Sequence, residues 1–232
     1  FNENCAYKLE DFKMKKINLI SLIKQHHFLW FIWSVFMFIG LFCLIFIGNH
    51  EFSKEVNQVH TNTLDVFFKY VTYLGDGVLL YLLGIIFIFI NRRMGILTIF
   101  SLVFTTIIIQ FLKRIVFADF FRPSKFFKEL INEGTWHIVD GVKLYDSFSF
   151  PSGHTALAFC FFIAICHFLK SNFWSVFFII ISFVIGYSRI YLSQHFLVDV
   201  WFGSLIGSVI SLLTIKYSNN LISISPFFGK SI

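Results

Sequence analysis

Long apolar runs with almost no charged residues alternate with short charged segments along most of the chain. The first run, 28–48, is long enough for a membrane span, because a helix needs roughly 20 apolar residues to cross the hydrocarbon core of a bilayer. The later runs are 77–91, 95–112, 152–169, 172–187 and 197–215. We therefore predict an all-α, polytopic membrane protein with a six-transmembrane-helix bundle over residues 28–216.

The segments outside these runs differ in character. Within 49–76, the second half has apolar residues at helical spacing, which predicts a helix that lies along the membrane surface or leads into the second span. The segment 113–150 is the longest connection, and loops of this length in compact proteins are usually functional or disordered. We expect cytoplasmic flanks at 1–27 and 217–232. Met14 resembles a natural start, so residues 1–13 are expected to be upstream or added sequence that is not part of the native fold.

The composition supports a membrane protein and excludes some functions. Of the 232 residues, 57% are hydrophobic and only 14% are charged, whereas soluble domains carry about 25% charged residues. The net charge is +6, but its basic residues are divided among short loops. Nucleic acid is therefore not an expected partner. Anionic lipid head groups are the expected partners of this positive charge. The four cysteines include no CxxC pair, so neither a zinc knuckle nor a disulfide framework is indicated.

Ionisable residues beside membrane spans are candidate functional sites, because charge is costly in the bilayer. The first cluster is 151–154, where Pro151 suits the first position of a helix. The free N–H groups of a first helical turn bind anions, Gly153 allows close approach to the backbone, and Ser152 adds a hydroxyl donor. Taken alone, this stretch is equally compatible with a simple helix start that carries a solvated His154.

The second cluster is the pair His195 and Asp199, which are four residues apart and so share one helical face. A carboxylate there can hold one imidazole nitrogen and leave the other free to attack, as in nucleophilic catalysis. One alternative is an ordinary polar pair inside the bundle. Another is a divalent metal bound by these two residues and His154, but no further Cys, His or Glu stands at ligand spacing.

The third cluster consists of cations at the ends of two spans. Guanidinium groups match phosphate oxygens in a bidentate fork, and a lysine acts as a point charge. Singly, each cation is compatible with a side chain that reaches out to the membrane interface. Their convergence on a histidine-rich mouth favours a phosphate site. These cations are Lys113, Arg114, Arg122 and Arg189.

Six spans would place all three clusters on the side opposite the termini. Orientation follows from the placement of Lys and Arg, which favour the cytoplasmic side. Once the proposed site cations are set aside, the terminal side carries most of the remaining positive charge. We therefore expect cytoplasmic termini in the cell (inner) membrane and a site that faces the periplasm or exterior.

Together the clusters resemble the type 2 phosphatidic acid phosphatase (PAP2) superfamily, whose pattern is K-x6-RP, then PSGH, then SR-x5-H-x3-D. The second element matches at 151–154, and the third matches from Ser188 to Asp199 at every fixed position. The first element departs from the pattern, because eight residues separate Lys113 from Arg122 and seven separate Arg114 from it. Either lysine or arginine could therefore take the first position.

The resemblance implies a role for each matched residue. His195 would attack phosphorus and form a phosphohistidine, Asp199 would orient it, and His154 would protonate the leaving oxygen and later activate water. The remaining matched residues would hold the phosphoryl oxygens. These are Lys113 (or Arg114), Arg122, Ser152, Gly153 and Arg189. The family implies a metal-independent phosphatase without a cofactor.

The function that these features favour is hydrolysis of a phosphomonoester or diphosphate of a membrane lipid. Candidate substrates are undecaprenyl diphosphate, phosphatidylglycerol phosphate, phosphatidic acid and lipid A. A lipid phosphotransferase with the same site is an alternative. A transporter with a His/Asp relay is less favoured, because the ionisable residues cluster at one face instead of following the spans. A haloperoxidase would share the pocket but is typically soluble. Nothing in the sequence indicates an obligate protein partner.

Overall fold

A computed structural model describes residues 19–218, and this part of the chain is helical without β-strands. The all-α fold class is thus confirmed for the described residues. The predictions for residues 1–13 and for most of the C-terminal tail lie outside them. The helices are α1 (Leu19–Gln25), α2 (His27–Phe46), α3 (Asn49–Gln58), α4 (Asn62–Val71), α5 (Gly77–Ile90), α6 (Arg92–Phe111), α7 (Pro123–Phe126), α8 (Lys128–Asn132), α9 (Gly153–Leu169), α10 (Asn172–Tyr191) and α11 (Leu197–Lys216).

Among residues 19–218, four helical segments are long and apolar enough to cross a membrane: α2, α6 with the π-turn that follows it, α10 and α11. A fifth candidate combines α4, the 3₁₀ turn Thr72–Gly75 and α5, which together bend by 50°. Helix α4 therefore continues through this turn into the second predicted span, and the bent pair has the shape of a broken span or a re-entrant loop. Helix α9 is apolar but has only 17 residues. The chain is a multi-pass membrane protein whose described residues contain four or five candidate spans, and the number six stays a prediction.

Helix α9 lies at the centre of the bundle and packs against α6, α10 and α11. Most of its side chains are buried, including Ala156, Ala158 and Phe159 at 0% exposure. Close packing with α11 depends on small residues, because a Cβ atom at Gly207 would collide with the Ala156 carbonyl oxygen. Small residues allow such close helix contacts in membrane proteins. This central helix therefore holds its first turn in a fixed place relative to its neighbours.

Several helix boundaries differ from the sequence prediction. Arg92 and the following arginine begin α6 instead of ending the second span, because Asn91 caps α6 through a 3.0 Å bond from the Met94 N–H to Oδ1. Helix α10 continues one turn beyond residue 187, so Arg189 lies inside it. The prediction that Pro151 occupies a first helical position is wrong: it precedes the N-cap residue of α9.

The long connection 113–150 folds over the end of the bundle that carries the motifs. It starts in the π-turn Leu112–Val116 and then forms α7 and α8. Trp136 anchors it, with its ring stacked on Phe127 at 4.1 Å and its Nε1–H donating to Ser193 Oγ at 3.0 Å. This contact ties the connection to the short segment between α10 and α11, so the three clusters meet at one end of the bundle.

Candidate active site

His195 lies in the segment between α10 and α11, one turn before Asp199 in α11. The side chains are 2% exposed, and His195 Nδ1 is 3.2 Å from Asp199 Oδ2. The same Oδ2 accepts the Phe196 backbone N–H at 2.9 Å and the Ser149 hydroxyl. Because a carboxylate only accepts hydrogen bonds, His195 carries its proton on Nδ1 and keeps the lone pair on Nε2. This is the arrangement of an oriented nucleophile.

The surroundings of His195 favour its neutral form. Burial has the largest effect, and together with the positive charges of Lys113, Arg122 and Arg189 it lowers the pKa of His195 well below its usual value. Removal from water and nearby like charge both disfavour a protonated imidazole. At neutral pH the ring is therefore unprotonated, as a nucleophile must be.

The first turn of α9 supplies backbone and hydroxyl groups beside this pair. Ser152 is fully buried at the N-cap, and its backbone N–H donates to the Asp199 carbonyl oxygen at 2.9 Å. Its hydroxyl is 2.8 Å from Thr155 Oγ1. Gly153 opens the helix, so the free N–H groups of the first turn lie next to Asp199. A helix N-terminus of this kind is suited to an oxyanion.

The structure separates the two candidates for the first cation. Lys113 is 7% exposed, and its Nζ donates to the Phe148 carbonyl oxygen at 3.0 Å. Arg114 is exposed and donates from Nε to Gln110 Oε1 at 3.1 Å. The π-turn at 112–116 contains about one residue more than an α-helical turn. This extra residue contributes to the spacing between Lys113 and Arg122, which is longer than in the family pattern. Lys113, and not Arg114, faces the pocket.

Arg122 and Arg189 enter the pocket from different elements. Arg122 is held by two carbonyl oxygens, with Nε 3.0 Å from Ser147 O and Nη1 3.0 Å from Gln194 O. Burial lowers the pKa of Arg122, and the Asp199 carboxylate opposes this effect. Arg189 donates from Nη1 to Thr72 Oγ1 at 2.7 Å, while its buried Nε has no hydrogen-bond partner.

Within residues 19–218, neither these two arginines nor Lys113 forms a salt bridge with a carboxylate. Buried charges are normally paired. Three buried or half-buried cations without a carboxylate partner therefore indicate a site for an anion. In this part of the chain, no group of three or more His, Cys, Asp or Glu side chains is placed to hold a metal ion.

His154 lies in the first turn of α9, with its Nε2 3.7 Å from Asp76 Oδ2. The sequence analysis did not single out Asp76, because its only local signal is that of a helix N-cap. It also missed Ser149, Thr72 and Gln194, which hold site residues by hydrogen bonds. The position of Ser149, three residues before Ser152 of the second motif, could have indicated that it lies near the site.

Comparisons with known proteins agree with this geometry. The family model described as the PAP2 superfamily matches residues 95–223. Among solved structures, Aquifex aeolicus LpxE is 29% identical, with a TM-score of 0.64 over 73% of this chain and 95% of that chain. The transmembrane PAP2-type phosphatidylglycerolphosphate phosphatase from Bacillus subtilis is 21% identical, with a TM-score of 0.60 over 92% of this chain and 100% of that chain. No curated protein matches the sequence.

The family match covers more than half of the chain and includes all three clusters. The B. subtilis protein shares the fold, and LpxE shares both fold and part of the sequence. The family model begins inside α6 and ends beyond α11, so it contains every residue placed in the pocket except those on the bend before α5. The chain belongs to the PAP2 superfamily.

Proposed function

We propose that the protein hydrolyses a phosphomonoester or diphosphate of a membrane lipid through a phosphohistidine on His195. The observation that carries this proposal is a buried His195, oriented by Asp199 at 3.2 Å, in a pocket whose cations form no salt bridge among the described residues. A nucleophile and its orienting group beside an anion site have the parts that phosphoryl transfer needs.

In the first half of the reaction, the lone pair of His195 Nε2 attacks phosphorus and the bond to the leaving oxygen breaks. His154 gives a proton to that oxygen, so the lipid leaves as a neutral alcohol or as a lipid phosphate. Asp199 stabilises the positive charge that develops on the His195 ring. The product of this half is a phosphohistidine.

In the second half, His154 takes a proton from water as the water oxygen attacks the phosphorus of the phosphohistidine. The P–N bond breaks, and its electron pair returns to His195 Nε2. Inorganic phosphate leaves, and both histidines regain their starting states. The same histidine thus serves as general acid and then as general base.

Lys113, Arg122 and Arg189, together with the first turn of α9, would hold the three non-bridging phosphoryl oxygens. Charge on these oxygens in the transition state is stabilised by donors that are already in place. Each such donor contributes about 3–4 kcal/mol in comparable sites. Their removal should therefore slow the reaction severely without unfolding the bundle.

Two observations support a lipid substrate on the exterior side. The pocket lies at one end of a bundle of apolar helices, where a head group is presented from the bilayer, and the distribution of Lys and Arg favours cytoplasmic termini. The B. subtilis protein with the same fold is a phosphatidylglycerolphosphate phosphatase, so phosphatidylglycerol phosphate comes first among the lipids to test.

The test is phosphate release by purified protein in detergent from phosphatidylglycerol phosphate, phosphatidic acid, undecaprenyl diphosphate and lipid A. His195→Ala is measured beside the wild-type protein, with EDTA and vanadate added separately. We expect release that survives EDTA, falls with vanadate and disappears in the variant. Release abolished by EDTA would contradict the metal-independent mechanism. Label recovered on a second lipid instead of inorganic phosphate would identify a phosphotransferase.

A further inference from the structure

The bend between α4 and α5 lies directly against the pocket. Its first residue, Thr72, accepts a hydrogen bond from Arg189, as described above. Its last residue, Gly75, packs on the start of α9, since a Cβ atom there would lie 3.2 Å from the carbonyl oxygen of His154. The bend therefore fixes the position of whatever follows it relative to His154.

Asp76 is the residue that follows, and its two carboxylate oxygens have different contacts. Oδ1 accepts the Val78 backbone N–H at 2.8 Å and so caps α5. Oδ2 points to His154, 3.7 Å from Nε2. The capping bond restricts rotation of the carboxylate, so the oxygen that faces His154 is held in place by the helix it caps.

The charges around His154 explain why a carboxylate is needed there. Lys113 from the π-turn, Arg122 from the long connection and Arg189 from α10 all interact electrostatically with His154. His195, from the segment before α11, also lies near it. A general acid must begin the reaction with a proton, yet burial, and after it these cations, oppose a positive charge on the ring.

Two carboxylates face this pocket among the described residues: Asp199 from α11 and Asp76 from the bend. Asp199 is committed to His195, Ser149 and the Phe196 N–H through a single oxygen. Asp76 also interacts electrostatically with Arg189, and its 3.7 Å approach to Nε2 makes it the carboxylate placed to compensate a proton on His154. An opposite charge at this range typically favours the charged form by about 1–3 pKa units.

We propose that Asp76 is a positioning residue for His154: its carboxylate orients the imidazole and keeps it protonated for the transfer to the leaving oxygen. This inference rests on the proposed function, since it assigns a support to the general acid of that reaction. It adds to the three motifs a residue from outside them, contributed by the bend before α5.

Asp76→Asn is the decisive variant, because asparagine caps a helix as well as aspartate does but carries no charge. With phosphatidic acid as substrate we expect kcat to fall about tenfold or more, since general acid catalysis contributes roughly 10²–10⁴-fold, while KM changes little. The alkaline limb of the kcat/KM profile should move down by about one pH unit. With p-nitrophenyl phosphate, whose leaving group needs little protonation, the loss should be much smaller.

Asn91→Ala is the matched control, because it removes the N-cap of α6 without touching the pocket. It should lower thermal stability in detergent and leave the pH profile unchanged. An Asp76→Asn protein with wild-type kcat and pH profile would overturn the inference. So would an equal loss with both substrates and no shift of the alkaline limb, since that pattern indicates a structural role alone. His195→Ala separates this inference from the proposed function: phosphate release by that variant would overturn the proposed function, whereas the Asp76→Asn results bear on the inference alone.

Discussion

The adjacent residues Lys113 and Arg114 provide the sharpest test of the site, because the family pattern leaves both open and the structure favours one. We consider Lys113→Met and Arg114→Met, since methionine keeps the length of each side chain and removes its charge. Lys113 is 7% exposed and is held at Phe148 O, whereas Arg114 is exposed. Both residues lie in the same π-turn, so a general disturbance of this turn would affect both variants alike.

The expected losses of kcat in the two variants differ by about two orders of magnitude. Removal of one preorganised donor to a transition-state oxyanion lowers kcat by about 10²–10³-fold, or about 2.7–4 kcal/mol. Lys113→Met should therefore retain about 1% of the wild-type kcat or less. An exposed charge contributes at most about 1 kcal/mol to a neighbouring interaction, so Arg114→Met should stay within about fivefold of wild type.

The assay is kcat and KM for phosphatidic acid in detergent, with thermal unfolding of each variant as the measure of folding. Burial makes Lys113→Met neutral or favourable for stability, because an unpaired buried cation is replaced by an apolar side chain. An Arg114→Met protein that loses activity as severely as Lys113→Met would refute the assignment. A reversed order of the two variants would transfer the role of the first cation to Arg114.

Three further predictions concern the support of the site. Ser149→Ala removes one of the three hydrogen-bond donors to Asp199 Oδ2. Hydrogen bonds to charged groups contribute about 1.5–3 kcal/mol, so kcat should fall about tenfold or more. An unchanged kcat would contradict a role of Ser149 in holding Asp199. Arg189→Lys keeps the charge but removes the guanidinium group, whose Nη1 bonds to Thr72 and whose Nε has no partner in the structure. We expect kcat/KM to fall about tenfold or more, because lysine cannot bind phosphate oxygens with two nitrogens. Full activity of the lysine variant would argue against bidentate binding. The pKa of His195 is lowered, so the nucleophile stays deprotonated down to a pH below the usual histidine pKa of about 6.5. The acid limb of the pH profile of kcat/KM should therefore lie below that pH. An acid limb above it would refute a neutral His195.

The sequence by itself determined the features that depend on local spacing. Apolar runs predict spans because the bilayer thickness sets a minimum helix length, and this accounts for α2, α6, α10 and α11. The spacing of four residues predicts that His195 and Asp199 share one face, and the structure places them 3.2 Å apart. Helix ends were less predictable, because the cap at Asn91 and the contact from Ser152 to Asp199 involve polar partners that periodicity does not encode.

Tertiary structure alone decided which distant residues meet. The choice of Lys113 over Arg114 depends on the π-turn, since the type of turn sets the direction of each side chain. Arg189 donates a hydrogen bond to Thr72, which is 117 residues away in the sequence. His154 lies 3.7 Å from Asp76 because the 50° bend between α4 and α5 packs against the start of α9. Such contacts follow from how helices pack and where they break. Hydropathy reports which residues avoid water, but it carries no information about which helix faces touch.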